Sequence, residues 1–171
     1  SNEAINLAPK FFPLETCVFG RKNKDKVELT HFLFHRDQDY SKLNLDRLDL
    51  NNKKIIEFRT CGNLVVPPSV TTSKNDEKIL LPRVWVNNTK PIKVLNIFKI
   101  FNWCCFASFI YPFIESANTG AICLDACLKR YTNVTDDERV KFLEILYSTK
   151  FPNKWNIDKR SEEHTSELQS R

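Results

Sequence analysis

Alternating apolar and polar residues dominate the first half of the chain. Residues 14–19 are rich in β-formers and end at Gly20, and residues 27–35 alternate between apolar and polar positions, as half-buried strands do. The charged segment 21–26 separates the two runs. The pattern therefore predicts an antiparallel hairpin with a charged tip.

Two further strands are predicted, over 55–59 and 79–86. Pro82 interrupts the second of them, and a proline within a strand indicates a sheet edge or a bulge. Residues 37–54 are charged and rich in Leu, Asn and Asp. They fit either a short helix or an ordered loop, and the two alternatives stay open.

From Pro91 onward the apolar residues follow a helical spacing of three or four positions. This spacing predicts a long apolar helix over 95–113. Lys99 and Asn102 interrupt it and favour a helix buried in a protein core over a membrane span. The predicted buried stripe consists of Leu95, Phe98, Phe101, Cys105, Phe109 and Phe113.

Two more helices are predicted, over 119–131 and 135–149. The second begins with a capping box, in which Thr135 caps the first turn and Glu138 bonds back to it. Four strands followed by three helices predict an α+β fold. Its small mixed sheet is formed by the N-terminal half and is covered by the C-terminal helices.

The two ends of the chain predict no packed structure. Residues 1–10 are polar without a regular period and are expected to be a disordered lead-in. Residues 160–171 match the in-frame translation of a common sequencing-library adapter, so they are set aside and expected to be disordered. A single α+β domain is therefore expected over 11–159, truncated at its C-terminus.

Composition excludes some classes of protein. With three glycines in 171 residues, the chain has no glycine-rich loop of the kind that binds nucleotide phosphates. The formal net charge is +5, and it becomes +6 without residues 160–171, which contribute two arginines and three glutamates. The densest basic cluster is a candidate nucleic-acid contact, with a solvated hairpin tip as the alternative. It consists of Arg21, Lys22, Lys24 and Lys26.

Six cysteines leave the redox compartment open. An even number of cysteines and two glycosylation sequons favour a secreted or lumenal domain with disulfides. The adjacent Cys104 and Cys105, in an apolar segment, instead suit buried free thiols. Cys123 and Cys127 would share one helix face, but no second Cys or His pair lies at zinc-finger spacing. A count of free thiols separates the intracellular and secreted alternatives.

Few residues are candidates for catalysis. Cys17 and His31 fall on neighbouring strands of the predicted hairpin, so a Cys–His pair is geometrically possible. The acidic candidates on strands are too few to suggest two-metal nuclease chemistry. The chain is more consistent with a non-catalytic protein, and a Cys–His enzyme is the third alternative.

Two stretches of the sequence are similar to the maelstrom domain. Pro13-Leu14-Glu15, a charged turn and then His31-Phe32-Leu33-Phe34 resemble the family's opening strands. LPRVWVNN, followed by a helix with Asn102-Trp103-Cys104, resembles its middle strand and next helix. The similarity covers 14–35 and 80–105. It implies a ribonuclease H-like fold, RNA binding and a role in piRNA-mediated silencing in animal germ cells.

The resemblance also implies a metal position and partners. The family's signature site is a Glu-Cys-His-Cys set, and only Glu15 matches it. Zinc would therefore need ligands beyond the end of this chain, and no other cofactor is expected. The resulting prediction is a non-catalytic RNA- or protein-binding module that acts with the silencing machinery in the cytoplasm, the nucleus or both. No membrane association and no small-molecule substrate are expected.

Overall fold

The described part of the chain divides into a first unit of mixed α and β structure and a second unit of helices. The structure is a computed structural model that describes residues 1–35, 43–72 and 80–153. One unit ends at Phe109 and the other begins at Ile110. The predicted α+β class is confirmed. The single domain expected over 11–159 stays a prediction, and the adapter-like segment 160–171 lies outside the described residues.

The first unit contains a five-stranded mixed sheet with strand order β5-β6-β1-β2-β7, and a separate two-stranded sheet, β3-β4. Strand β2 pairs with β7 in parallel, and the other pairs are antiparallel. The elements are α1 (Asn2–Phe11), β1 (Cys17–Asn23), β2 (Lys26–His35), β3 (Asn44–Leu48), β4 (Lys54–Arg59), β5 (Val70–Thr72), β6 (Leu80–Asn87), β7 (Ile92–Lys93) and α2 (Ile97–Ile110). Strand β3 replaces the helix or loop predicted within 37–54.

The first residues form a helix, so the expectation of a disordered lead-in over 1–10 is wrong. The Ser1 hydroxyl caps α1 by accepting a hydrogen bond from the Ala4 amide at 3.2 Å. The helix buries Ala4, Leu7 and Ala8. Their spacing of three and four residues is the helical signal, and the polar residues between them conceal it.

Gly20 is the point at which β1 lies closest to β2. A Cβ atom built on Gly20 would lie 2.8 Å from the carbonyl carbon of Glu28 and closer still to its oxygen. At this position Phe19 pairs with His31 but Gly20 pairs with Leu29, so Thr30 has no partner on β1. This β-bulge reverses the predicted alternation along β2, because one extra residue moves the following side chains to the other face.

Pro82 lies in an interior strand rather than at an edge. It pairs with Val70 of β5. The residues of β6 that pair with β1 begin at Arg83, so Pro82 has no partner on β1. The Arg83 amide donates to the Ser69 carbonyl at 2.8 Å on the β5 side. The nitrogen of Pro82 therefore faces the opposite side, just beyond the last β1 pair, where no ladder hydrogen bond is required.

The core of the first unit lies between the sheets and two helices, α1 and α2. Phe12 packs on Phe32 and Phe34 of β2, with ring centroids 5.3 and 5.8 Å apart. Phe101 of α2 packs against Phe58 of β4 at 5.3 Å. Both α1 and α2 contact these strands, so the N-terminal helix adds to the cover that the prediction assigned to the C-terminal helices.

The buried stripe of α2 differs from the predicted one by its register. Phe101 and Cys104 are buried, whereas Leu95 and Phe113 are exposed, because regular helix begins at Ile97 and gives way to a 3-10 turn at Tyr111. Within the described residues, no helix is both long and apolar enough to cross a bilayer.

The second unit contains α3 (Thr119–Tyr131) and α4 (Asp136–Lys150). The predicted capping box is confirmed: the Thr135 hydroxyl accepts from the Glu138 amide at 3.3 Å, and the Glu138 carboxylate accepts from the Thr135 amide at 3.2 Å. Arg139 of α4 joins the two helices through an ion pair with Asp125 of α3. It also forms an ion pair with Asp136 of its own helix.

Replacing Phe101 with Ala should destabilise the protein by about 3–5 kcal/mol, because the ring is 2% exposed and leaves a cavity among other aromatic rings. Phe113→Ala is the matched control, since that ring is 64% exposed and its loss should change stability by about 0.5 kcal/mol or less. Urea unfolding of both variants measures the difference. Equal losses of stability would contradict the position assigned to α2.

Gly20→Ala should destabilise the protein by about 1–3 kcal/mol, because the added methyl group meets the backbone of Glu28 and forces the strands apart. Lys22→Ala, at an exposed position on the same strand, is the control and should be nearly neutral. A Gly20→Ala protein as stable as the parent would show that β1 and β2 do not approach this closely.

Candidate anion-binding site

The sheet divides the predicted basic cluster. Arg21 lies on β1 on the same face as Phe19 and is half-buried, whereas Lys22 lies on the opposite face and is exposed. Lys24 occupies the hairpin turn with a left-handed φ of 52°, and Lys26 begins β2. Both lysines are exposed, so the hairpin tip is solvated and Arg21 is the member of the cluster that faces other functional groups.

Arg21 has a basic neighbour that the sequence pattern did not reveal. In the ladder between β1 and β6, Arg21 pairs directly with Arg83. Directly opposed residues have Cβ atoms about 5 Å apart, so two guanidinium groups share one part of this face. Like charges at such positions repel each other. Burial and the charge of Arg21 together lower the pKa of Arg83.

No carboxylate of the described residues neutralises this pair of arginines. Glu28 lies opposite Arg21 on β2, yet no ion pair within 4.0 Å joins them. Glu57, which acts electrostatically on the same region, already binds Arg59 and Lys54. The Nε atoms of Arg21 and Arg83 are buried without a hydrogen-bond partner. A buried polar group of this kind costs stability and requires an explanation.

Arg139 shows how the same chain treats a structural arginine. Its Nε atom is likewise buried without a partner, but its terminal nitrogens bind the carboxylates of Asp125 and Asp136. Two carboxylates thus neutralise one guanidinium. Arg21 and Arg83 have a comparable burial of Nε, and no carboxylate in the described stretches neutralises them, so their pair is suited to an external anion.

His31 completes the cluster as a neutral group. Its ring stacks on Phe19 at a centroid distance of 4.4 Å. The Nδ1 atom lies 2.8 Å from the Thr30 hydroxyl and 3.3 Å from Nη1 of Arg83. Because the Arg83 group can only donate, Nδ1 accepts, and the proton of the neutral ring is assigned to Nε2. Burial first, and then the charges of Arg83 and Arg21, lower the pKa of His31 to about 4.

A cross-strand pair of aromatic residues lies beside the two arginines. Phe19 pairs with Trp85 in the ladder, and their rings meet edge to face at 5.3 Å. Phe19 is fully buried, whereas Trp85 is 37% exposed. Arg83 and Trp85 are two residues apart on β6 and therefore share one face. The site thus joins two unneutralised guanidinium groups to an accessible indole ring.

Among the described residues, Glu15 belongs to no group of three metal-ligating side chains. This residue lies exposed in the turn before β1, not on a strand, and its backbone carbonyl accepts from the Thr89 hydroxyl at 2.8 Å. In the three described stretches, no group of three His, Cys, Asp or Glu side chains could hold a metal ion. The described residues therefore do not fit the zinc set that the resemblance implies.

Cys17 and His31 are not directly opposed in the ladder between β1 and β2. Cys17 pairs with Leu33, whereas His31 pairs with Phe19. Burial also raises the pKa of the Cys17 thiol, which disfavours the reactive thiolate. Burial likewise raises the pKa of Cys104, to about 12. These two thiols are therefore placed as apolar core residues.

Arg83 and Trp85 are the site residues that sequence reasoning missed, and it considered His31 only as a partner of Cys17. The alternation in residues 80–87 already places Arg83 and Trp85 on one face of a strand. The pattern does not give the pairing register of β1 and β6, which places this face beside Arg21 and Phe19. No protein-family model matches the chain, and no curated protein or solved structure matches it.

The lowered pKa of His31 predicts a loss of stability in mild acid. The folded ring stays neutral down to a pH of about 4, whereas the unfolded ring binds a proton near the ordinary value of 6.5. Between these values the unfolded state binds more protons, so the free energy of unfolding falls as the pH falls from 6.5 towards 4. Urea unfolding at pH 7 and pH 5 measures this change.

His31→Gln should remove this contribution, so the wild type should lose more stability than the variant between pH 7 and pH 5. His35→Gln is the control, because His35 lies exposed at the end of β2 and its loss should leave the wild-type pH dependence in place. Parallel losses in the wild type and His31→Gln would contradict the buried neutral state of His31.

Proposed function

We propose that this chain is a non-catalytic RNA-binding module that binds through the β1–β6 face of its sheet. The observation that carries the proposal is the unneutralised pair Arg21 and Arg83 beside the exposed ring of Trp85. Single-stranded nucleic acids are bound by this combination of chemistry, in which arginines contact phosphates and an aromatic side chain stacks on a base.

The arrangement of charge favours RNA over a protein partner. No carboxylate of the described residues pairs with the two arginines, which leaves about two positive charges for the ligand to neutralise. A phosphate backbone supplies one negative charge per nucleotide. The exposed Lys24 and Lys26 add weak, screened attraction at the hairpin tip. The net charge of +5 acts in the same direction.

The partners and the compartment follow from the resemblance and belong to the proposal. A module similar to the maelstrom domain would act with RNA or proteins of the silencing machinery, in the cytoplasm, the nucleus or both. The ribonuclease H-like arrangement is part of the same proposal. Arg83 and Trp85 lie in LPRVWVNN, one of the segments that carry the similarity.

Arg21→Gln combined with Arg83→Gln should weaken RNA binding at least about tenfold, because each lost charge-assisted hydrogen bond costs about 1.5–3 kcal/mol. The assay is fluorescence anisotropy of a single-stranded RNA that carries a 5′-phosphate and a 3′-label. The slope of log affinity against log salt should fall by about 0.7 for each lost phosphate contact. The double variant should be at least as stable as the parent, because it removes a like-charge repulsion.

Lys24→Gln combined with Lys26→Gln is the matched control, which removes the same number of charges from the hairpin tip. This variant should weaken binding less than about threefold, because exposed charges are worth about 1 kcal/mol or less. A larger effect of the lysines than of the arginines would move the binding surface to the hairpin tip. RNA binding that is unchanged in both variants would overturn the proposal.

A further inference from the structure

We propose that the pair Arg21 and Arg83 recognises a terminal phosphate, the 5′-monophosphate of a nucleotide, rather than the internal phosphodiesters of a strand. This inference rests on the proposed RNA-binding function and names the group that the site selects. Three observations carry it. The two arginines have no carboxylate partner among the described residues, both side chains are half-buried, and Trp85 lies two residues from Arg83 on the same strand.

Charge matching distinguishes the two kinds of phosphate. An internal phosphodiester carries one negative charge, whereas a phosphate monoester carries about −1.5 to −2 at pH 7 and has three terminal oxygens. Arg21 and Arg83 together carry two positive charges, and the neutral His31 adds none. One monoester therefore neutralises the pair, while one diester leaves a half-buried positive charge.

Burial favours an end over a continuous strand. Proteins that follow a nucleic-acid backbone use open grooves lined with exposed charges. Arg21 and Arg83 are instead half-buried, with their Nε atoms inaccessible to solvent. Nη1 of Arg83 already contacts Nδ1 of His31 at 3.3 Å, so Nη2 of Arg83 and the terminal nitrogens of Arg21 are the groups left for the ligand. The fork of a guanidinium group matches two oxygens of one phosphate.

The aromatic pair Phe19 and Trp85 provides a stacking surface for a base beside the bound phosphate. Trp85 lies two residues from Arg83 on the same strand face, about 6.6 Å away by the strand rise of ~3.3 Å per residue. At this separation the phosphate and the base of one nucleotide can engage together. The Trp85 ring contacts Phe19 by an edge-to-face arrangement, which holds the indole in place beside the arginines. A base stacked on this ring would make the ligand a nucleotide rather than any phosphorylated molecule.

The first experiment compares two 3′-labelled RNAs of one sequence, with a 5′-phosphate and with a 5′-hydroxyl group, by fluorescence anisotropy. The phosphorylated RNA should bind about tenfold more tightly, the effect of one further charge-assisted hydrogen bond. Arg21→Gln and Arg83→Gln should each abolish this difference. Lys24→Gln should retain it, because the hairpin tip takes no part in the selection.

Two outcomes separate this inference from the proposed function. If both RNAs bind equally and binding still depends on Arg21 and Arg83, the terminal phosphate is not selected, whereas the RNA-binding function stands. If neither RNA binds, the proposed function fails, and the inference fails with it.

A second experiment titrates the protein with adenosine 5′-monophosphate, adenosine 3′,5′-cyclic monophosphate and inorganic phosphate. The monoester should bind about tenfold more tightly than the cyclic diester, which has the same base and one charge fewer. The monoester should also bind more tightly than inorganic phosphate, and Trp85→Leu should remove this second difference. Tighter binding of a phosphoserine peptide than of the nucleotide would overturn the nucleotide assignment.

Discussion

The backbone of β1 runs so close to the carbonyl group of Glu28 that only a glycine fits at position 20. This close approach accompanies the bulge that leaves Thr30 without a partner on β1, and a second irregularity follows between Val18 and Phe19 in the pairing with β6. Together they determine which side chains face each other. Arg21 meets Arg83, and Phe19 lies between His31 and Trp85. The candidate site is a consequence of this register.

The arrangement is electrostatically unfavourable for the protein alone. Two guanidinium groups face each other, their Nε atoms are buried without acceptors, and the available carboxylate of Glu57 is bound elsewhere. A neutral His31 limits the repulsion, because its lowered pKa keeps a third positive charge out of the cluster. Sites that bind charged ligands commonly reduce stability in this way, because the ligand supplies the missing neutralisation.

Periodicity predicted the elements better than it predicted their partners. The β2 strand, the capping box at Thr135 and the apolar character of α2 all follow from local patterns, and the structure has them. The helix over 2–11 was missed, because Ala4, Leu7 and Ala8 are a weak stripe among polar residues. The register was not predictable, because bulges depend on contacts between strands that are distant in sequence.

The unpredictable register of the strands also limited what the sequence revealed about the site. A basic cluster at 21–26 was visible as composition, but the side chain that matters, Arg21, could be separated from its exposed neighbours only by the sheet. Arg83 lies far along the chain, in a strand whose alternation was visible and whose neighbour was not. Glu15, singled out by resemblance, lies instead in an exposed turn.

The central claim is that Arg21 and Arg83 form an anion site, and nitrogen–proton correlation NMR of the arginine Nε–H groups tests it most directly. Inorganic phosphate is added to the protein at constant ionic strength, with Arg139 as the internal reference because its guanidinium is already bound by Asp125 and Asp136. The account predicts saturable shifts of the Arg21 and Arg83 signals while the Arg139 signal stays in place. Signals of Arg21 and Arg83 that do not move, or that move only together with Arg139, would contradict it.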